Sequence, residues 1–252
     1  MLDIDGTTIP YAYDALPSDK VKSAISKARK KGVKICLVTG RSYPATKRIL
    51  EYLDLTDSLA VVDGGAMVVD TSTDKLLYER YIPKKDVETI IEVFEDENVD
   101  LFVKDRNSLM NQRDRYEPYK RGVELLDVSM FFTDEVFTLD QTHDIMKKLS
   151  RPDISLFRTH HKTPNKFSFN ITHVQATKMH GIHIIMDEYK LKSSEIIGVG
   201  DGYNDFPLLM SCGLKVAMGN AIDDLKAIAD YTAPTVENDG VADVIEKYIL
   251  SI

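Results

Sequence analysis

The stretch Leu2-Asp3-Ile4-Asp5-Gly6 places two acidic residues where a predicted strand meets a turn. Leu2 and Ile4 alternate with Asp3 and Asp5, and Gly6 ends the run. Residues two apart share a face of a strand, and the turn at Gly6 can redirect the second carboxylate. Two carboxylates held this close repel each other unless a cation or a proton lies between them. Asp-x-Asp-Gly is also an ordinary turn sequence, so the signal is weak on its own.

On both sides of a different middle section, the chain alternates strands with helices. Ser18 is suited to cap a helix whose apolar residues, from Val21 to Ala28, recur at helical spacing. Further elements are predicted in both parts, namely strands at 33–38, 59–62, 196–199 and 215–218 and helices at 43–53 and 177–189. Continuous apolar strands that alternate with helices are typical of a parallel sheet covered on both faces. The pattern therefore predicts an α/β, Rossmann-like core.

The middle section reads as a separate α+β unit that begins near Pro83. It contains an amphipathic helix from Val87 to Phe94, a later helix that ends near Leu149, and strands predicted at 101–103, 136–139, 154–158 and 166–171. Pro164 and Asn165 indicate a hairpin turn between the last two strands. A stretch rich in Arg and Tyr, at 113–121, suits substrate contacts or a solvated loop equally well. We therefore predict an inserted α+β cap domain at 83–172 within a core made of 1–82 and 173–252.

Composition restricts the partners of the protein. The chain has 252 residues, of which 43% are hydrophobic and 29% charged, as expected for a soluble globular protein rather than a disordered one. Forty acidic against 32 basic residues give a net charge of −8, which disfavours nucleic acid as a partner. No apolar run reaches the roughly 20 residues of a membrane span, and no leader-like segment opens the chain. We expect a cytoplasmic protein with no nucleic-acid or membrane partner.

A second acidic motif, Gly200-Asp201-Gly202-Tyr203-Asn204-Asp205, also lies where a buried strand meets a glycine turn. Parallel α/β sheets bind their ligands at the carboxyl edge of the strands, so this motif and the first are expected to face one another. Magnesium prefers oxygen ligands and is commonly held by one or two carboxylates, for which Asp3 and Asp201 are the natural candidates. A calcium loop would need more regularly spaced oxygen ligands and a late glutamate, which the motif lacks.

Two weaker signals involve Thr39-Gly40 and Lys178. Thr39 ends an apolar strand, and its hydroxyl together with neighbouring backbone N–H groups such as that of Gly40 can hold phosphate oxygens. An ordinary helix cap explains Thr-Gly better when it is taken alone. Lys178 opens the helix after the inserted unit, and a lysine chosen at random is usually a surface residue.

Taken together, these signals are far more specific than any one of them. Their order along the chain resembles the haloacid dehalogenase-like superfamily, and within it the Cof-like sugar-phosphate phosphatases. The motifs that carry the resemblance are Asp3-Ile4-Asp5-Gly6-Thr7, Thr39-Gly40-Arg41, Lys178, Gly200-Asp201-Gly202-Tyr203-Asn204-Asp205, Val216-Ala217-Met218-Gly219-Asn220-Ala221 and Asn238-Asp239-Gly240-Val241-Ala242. They cover nearly the whole core. The middle unit matches only by its position, which is where this subgroup carries its cap.

The resemblance implies a magnesium-dependent phosphatase for small phosphorylated metabolites. Asp3 would attack phosphorus and form an aspartyl-phosphate, while Asp5 would serve as general acid and then as general base. Mg²⁺ would be held by Asp3, the backbone carbonyl of Asp5 and Asp201, with Asp205 acting from farther out or through water. The phosphoryl oxygens would be bound by Thr39, Gly40, Lys178 and Asn204. The cap would close over the core and select the leaving group.

Two departures from the family pattern and two rival functions stay open at this stage. Only Met1 and Leu2 precede Asp3, so either the first strand is truncated or the given start is not the natural one. Gly64 stands where the family often has an asparagine near the active-site mouth. A phosphotransferase or mutase would use the same intermediate on Asp3 but deliver the phosphoryl group to a sugar hydroxyl. A non-catalytic protein that binds a phosphorylated ligand is the rival from another class, and it would need neither Asp3 nor Asp5 as reacting groups.

Overall fold

The computed structural model describes residues 1–12, 14–96, 102–105, 127–133, 136–160 and 167–251. The chain divides into two compact units. The first, called the core unit, consists of Met1–Tyr78 and Lys178–Ile252, and the second, called the middle unit, is Glu79–Thr177. The predicted Arg/Tyr-rich stretch and the turn at Pro164 and Asn165 lie outside the described residues.

The strands are β1 (Leu37–Val38), β2 (Leu59–Val62), β3 (Met67–Asp70), β4 (Lys75–Glu79), β5 (Phe102–Asp105), β6 (Val128–Phe132), β7 (Ile154–His160), β8 (Phe167–His173), β9 (Ile197–Gly200), β10 (Leu214–Ala217) and β11 (Tyr231–Thr232). The α-helices of the described ranges are Asp19–Lys30, Tyr43–Tyr52, Lys84–Asp96, Leu139–Lys148, Lys178–Tyr189, Phe206–Met210, Asp223–Ile228 and Gly240–Ile245. None of them has the length and apolar character that a membrane crossing requires.

The first residues of the chain join two halves of the sheet in the core unit. Strands β11, β10 and β9 pair in parallel on one side, and β1, β2, β3 and β4 follow one another on the other side, with β1 parallel to β2. Leu2 bridges the halves, because it pairs in parallel with Leu37 of β1 and with Val199 of β9. The N–H of Asp3 donates to the Val199 carbonyl at 3.0 Å. Asp3 therefore leaves the middle of the sheet, and the predicted Rossmann-like α/β architecture is confirmed.

The first helix shows how the sequence pattern produces this packing. The Ser18 hydroxyl accepts a hydrogen bond from the N–H of Val21 at 3.1 Å and caps Asp19–Lys30. The helix buries its apolar face, and Gly32, at a φ of 85°, stands just after its end. Strand β2 is buried along its whole length, as expected for a strand covered on both faces. Burial of such apolar surface, at about 25 cal/mol per Å², is the main stabilising contribution.

The middle unit is an antiparallel sheet with helices. Its strand order is β5-β6-β8-β7, and its core contains Phe94, Phe131 and Phe169. These side chains come from the helix Lys84–Asp96 and from the inward positions of β6 and β8, so helix and sheet share one apolar interior.

Two predicted strands differ from the structure. The run 33–38 forms a strand only at Leu37–Val38, because the ladder to β2 covers only these residues; Ile35 and Cys36 are buried without strand pairing. The predicted strand at 136–139 is absent, because Thr138 caps the helix Leu139–Lys148 and exchanges hydrogen bonds with Gln141. Strands β3, β4, β6 and β11 were not predicted. A buried apolar run indicates burial but does not by itself fix which residues pair.

Candidate active site

Asp3 lies at the carboxyl edge of the central strands. Its side chain is buried, and its backbone carbonyl accepts a hydrogen bond from the Thr8 hydroxyl at 2.5 Å. The turn that follows is held by the N–H of Gly6, which donates to the Ile9 carbonyl at 2.8 Å. Strand pairing before Asp3 and this tight turn after it together fix the direction of the carboxylate.

Three carboxylates lie close together at this edge of the sheet. Oxygen atoms of Asp3, Asp201 and Asp205 all lie within 4.8 Å of one another, and all three residues are buried. Asp201 follows β9, the strand that pairs with Leu2, so the two motifs meet because their strands are neighbours. Asp205 turns back onto the loop, where its Oδ2 accepts the N–H groups of Asp201 and Gly202, each at 2.9 Å.

The ammonium group of Lys178 lies between two of these carboxylates. Its side chain is 2% exposed, and Nζ donates to Asp3 Oδ1 at 2.5 Å and to Asp205 Oδ1 at 2.6 Å. We call Asp3, Asp201, Asp205 and Lys178 the buried acid cluster. With three carboxylates and one ammonium, the fully ionised cluster carries two excess negative charges.

This excess charge appears in the pKa values of the cluster. Burial and the charge of Asp205 raise the pKa of Asp3 well above its usual range, against the opposing effect of Lys178. Burial likewise raises the pKa of Asp201 to about 6, although hydrogen bonds from Tyr11 and Thr7 work in the opposite direction. For Lys178, burial lowers the pKa but Asp205 and Asp3 outweigh it, so the pKa is raised. The cluster therefore favours additional positive charge.

A divalent cation fits this donor set. Asp3 Oδ2 receives no hydrogen bond within the described part of the chain, whereas both oxygens of Asp205 are engaged by Lys178 and by backbone N–H groups. Among the described residues, the Asp201 carboxylate accepts hydrogen bonds from two hydroxyl groups, those of Thr7 and Tyr11. Asp3 and Asp201 are thus the carboxylates best placed to hold a metal ion directly, and hard oxygen ligands suit Mg²⁺.

Asp5 lies in a different environment from Asp3. Arg41 makes a two-pronged ion pair with it, from Nε to Oδ2 at 2.9 Å and from a terminal nitrogen to Oδ1 at 2.6 Å. The Asp5 side chain is 35% exposed, so water has access to it. We call Asp5 and Arg41 the outer pair. Gly6, with its φ of 76°, turns the chain directly after Asp5.

The predicted phosphate-binding residues are placed around the cluster in different ways. Lys178 belongs to it directly. Thr39 directly follows β1 and is buried. Its hydroxyl oxygen accepts a hydrogen bond from the N–H of Arg41 at 3.0 Å, which leaves the hydroxyl hydrogen available to donate. Gly40 lies between them. Asn204 is exposed in the turn after Asp201. Across the ranges that the structure describes, neither Thr39 nor Asn204 bonds to a carboxylate of the cluster.

The sequence motifs contained residues whose roles in the site only the structure revealed. Thr7 donates to Asp201 Oδ1 at 2.9 Å, Tyr11 donates to Asp201 Oδ2, and Arg41 pairs with Asp5. Asn220 donates to the Gly6 carbonyl at 2.8 Å and ties the last motif to the first turn. Thr7, Arg41 and Asn220 stand inside the quoted motifs, which was the available signal. Tyr11 stands in an irregular loop, and no pattern singled it out.

Comparisons with known proteins identify the family. The family described as haloacid dehalogenase-like hydrolase matches residues 1–245. Phosphoglycolate phosphatase 1 of Saccharolobus solfataricus is 26% identical over 249 residues, 99% of this chain and 94% of that protein. A 5-amino-6-(5-phospho-D-ribitylamino)uracil phosphatase of Bacillus subtilis is 26% identical over 98% of this chain and 96% of its own length.

Solved structures show the same fold. A haloacid dehalogenase-like hydrolase from B. subtilis superposes with a TM-score of 0.80 at 21% identity, covering 98% of each chain. The HAD subclass IIB sugar phosphatase BT4131 gives a TM-score of 0.77 at 22% identity, covering 98% of this chain and 96% of that one. Since the family match spans nearly the entire sequence, the chain belongs to the haloacid dehalogenase-like hydrolase family.

Proposed function

We propose that the chain is a magnesium-dependent phosphatase that hydrolyses small phosphorylated metabolites, sugar phosphates among them, through an aspartyl-phosphate on Asp3. The observation that carries this proposal is the asymmetry of the Asp3 carboxylate. Lys178 holds Oδ1 at 2.5 Å, and no hydrogen bond reaches Oδ2 in the part of the chain that the structure describes. A carboxylate nucleophile requires this combination of one oriented and one available oxygen.

The family and the relatives support the phosphatase class. The family is one of hydrolases, and both curated relatives named above are phosphatases of small phosphorylated molecules. Their named substrates differ from each other, and a structural neighbour is a sugar phosphatase. We therefore propose the substrate at the level of its phosphate ester, with sugar phosphates as the preferred class to be tested.

The two reacting carboxylates divide the chemistry. Asp3 Oδ2 attacks phosphorus, the bond from phosphorus to the ester oxygen breaks, and Asp5 gives its proton to the leaving oxygen. A water molecule then attacks the phosphorus of the aspartyl-phosphate, Asp5 takes the proton of this water, and phosphate leaves. Lys178, Thr39, the Gly40 backbone and Asn204 are the proposed donors to the phosphoryl oxygens.

Asp3, Asp201 and the backbone carbonyl of Asp5 are the proposed magnesium ligands, and Asp205 supports the site from farther out. When bound, Mg²⁺ offsets the repulsion between an anionic nucleophile and the phosphate dianion. Asp205 suits the supporting role, because Lys178 and two backbone N–H groups already engage its oxygens.

The test is phosphate release from a panel of sugar phosphates and an aryl phosphate, with Mg²⁺ or with chelator. We expect Mg²⁺-dependent turnover in the wild type and a loss of roughly 10³-fold or more in Asp3→Asn, since removing a nucleophile eliminates the covalent route. Asp223→Asn is the matched control, because the Asp223 side chain is fully exposed at the start of a helix and pairs with Lys226 at the surface.

Other outcomes of this experiment favour the rival functions. Phosphoryl transfer to added sugar acceptors, in place of phosphate release, would favour a phosphotransferase or mutase. Ligand binding without turnover in Mg²⁺ would favour a non-catalytic binding protein. Turnover that persists in Asp3→Asn would reject Asp3 as the nucleophile.

A further inference from the structure

Both oxygens of Asp201 accept a hydrogen bond from a hydroxyl group, and the two donors differ in how firmly they are held. Thr7 donates to Oδ1 at 2.9 Å; it is 1% exposed, and its N–H donates to the Ile4 carbonyl. Tyr11 donates to Oδ2, yet the residue as a whole is 72% exposed. Thr7 is therefore part of the packed turn, whereas Tyr11 is a largely exposed residue whose hydroxyl contacts Asp201.

The Tyr11 hydroxyl lies among the three carboxylates of the buried acid cluster. Burial of the hydroxyl raises the pKa of Tyr11, and the charges of Asp201, Asp3 and Asp205 raise it further. The ring also lies against Gly6, because a Cβ atom built at Gly6 would overlap both the Tyr11 ring and Asp201 Oδ2. Tyr11 thus covers the region between the carboxylates that a cation would occupy.

The oxygen inventory of the cluster shows what a cation would need. Lys178 and backbone N–H groups engage Asp205, and Lys178 engages Oδ1 of Asp3, which leaves Asp3 Oδ2 and the two oxygens of Asp201. Releasing Thr7 from Asp201 would disturb a buried turn. Releasing Tyr11 requires only rotation of a side chain on the exposed segment 10–12, which follows the buried Ile9.

From this difference we infer that Tyr11 is a displaceable cover on Oδ2 of Asp201, so that binding of a divalent cation at the buried acid cluster and release of the Tyr11 hydroxyl are coupled. The inference rests on the metal site of the proposed function and adds a residue that restrains it. The hydroxyl hydrogen of Tyr11 faces the Asp201 carboxylate. A cation at the same oxygen would face that hydrogen, and the two positive groups exclude each other.

The experiment compares Tyr11→Phe with wild type by calorimetric titration of Mg²⁺ into metal-free protein at fixed pH. The variant keeps the ring and loses only the donor. We expect its Kd for Mg²⁺ to be lower by about tenfold, since the cation no longer has to displace a hydrogen bond to a charged group. Tyr43→Phe is the matched control, because Tyr43 also donates to a carboxylate, that of Asp74, at the surface; its Kd should equal that of wild type.

A second measurement follows Tyr11 itself. Near-ultraviolet difference absorbance should record a tyrosine signal when Mg²⁺ is added to wild type and to Tyr43→Phe, and this signal should be absent from Tyr11→Phe. Equal or weaker Mg²⁺ affinity in Tyr11→Phe would overturn the cover while leaving the metal site intact. Failure of both proteins to bind Mg²⁺ would overturn the metal site, and with it this inference.

Discussion

Asp3 and Asp5 are two residues apart, yet the buried acid cluster and the outer pair treat their carboxylates in opposite ways. Asp3 shares one ammonium, that of Lys178, with Asp205, and all three side chains are almost fully buried. Asp5 has a two-pronged partner, Arg41, and 35% of its side chain is exposed. The buried site has too little positive charge for its carboxylates, whereas the outer site has a matched ion pair.

The difference shows that two carboxylates only two residues apart can have opposite electrostatic environments. A buried carboxylate site with excess negative charge attracts a cation, as the roles proposed for Asp3 require. A half-exposed carboxylate is accessible to water, as the acid–base role proposed for Asp5 requires. The difference in partners follows from the surroundings of each carboxylate: Lys178 meets Asp3, and Arg41 meets Asp5.

The sharpest way to break the comparison is to remove the proton carrier of the outer pair. We expect Asp5→Asn to slow turnover of sugar phosphates by roughly 10²- to 10⁴-fold, because both steps require proton transfer. Aryl phosphates have better leaving groups, so the first step should be less affected and aspartyl-phosphate should accumulate. Intact mass after acid quenching measures that species.

Asp57→Asn is the control for this variant, because Asp57 also pairs with an arginine, Arg29, but at an exposed position. It should leave turnover unchanged. If Asp5→Asn slowed aryl and alkyl esters equally without accumulating phosphoprotein, Asp5 would not be the acid–base group.

The next effect concerns stability and compares the two cations. Lys178→Met leaves Asp3 and Asp205 buried without their ammonium, which should lower the free energy of unfolding by about 3–5 kcal/mol. Arg41→Met breaks the half-exposed pair and should cost about 1 kcal/mol or less. Denaturant unfolding in chelator measures both, and equal losses would contradict the distinction between the two sites.

The smallest expected effect is a gain in stability from removing a carboxylate of the cluster. The pKa of Asp201 is about 6 in the folded protein, whereas its ordinary value, which applies to the unfolded chain, is 3.8. The folded state therefore binds the proton more tightly. The contribution of Asp201 to stability in chelator should therefore fall as pH rises from about 4 to about 6 and then level off. Asp201→Asn should remove this contribution and gain up to about 3 kcal/mol at pH 7.

Thermal unfolding in chelator at pH 4.5 and at pH 7 measures this gain, with Asp223→Asn as the exposed control. Added Mg²⁺ should reverse the ranking, because wild type retains the carboxylate that the ion requires. The stability difference between Asp201→Asn and wild type should be larger at pH 7 than at pH 4.5. If the difference were the same at both pH values, the cluster would not be short of positive charge.

Some contacts of the site could be predicted from the sequence and others could not. That Asp3 and Asp201 meet was predictable, since both follow parallel strands and the carboxyl ends of neighbouring strands share an edge. The pairing of Asp5 with Arg41 was not, because it depends on the exact course of two turns. The strand expected at 136–139 failed for a related reason, since the Thr138 cap outweighs a short apolar run.

By itself the sequence determined the α/β core, the order of the motifs and the residue types that gather at one edge of the sheet. These follow from periodicity and from strand–turn boundaries, which are local properties. Only the tertiary structure decided which oxygen each donor meets: Lys178 between Asp3 and Asp205, Arg41 on Asp5, and Tyr11 on Asp201. A hydrogen bond forms only when donor and acceptor lie within a few tenths of an ångström of the ideal distance. Here the two groups belong to residues far apart in the chain, and no local pattern encodes their separation.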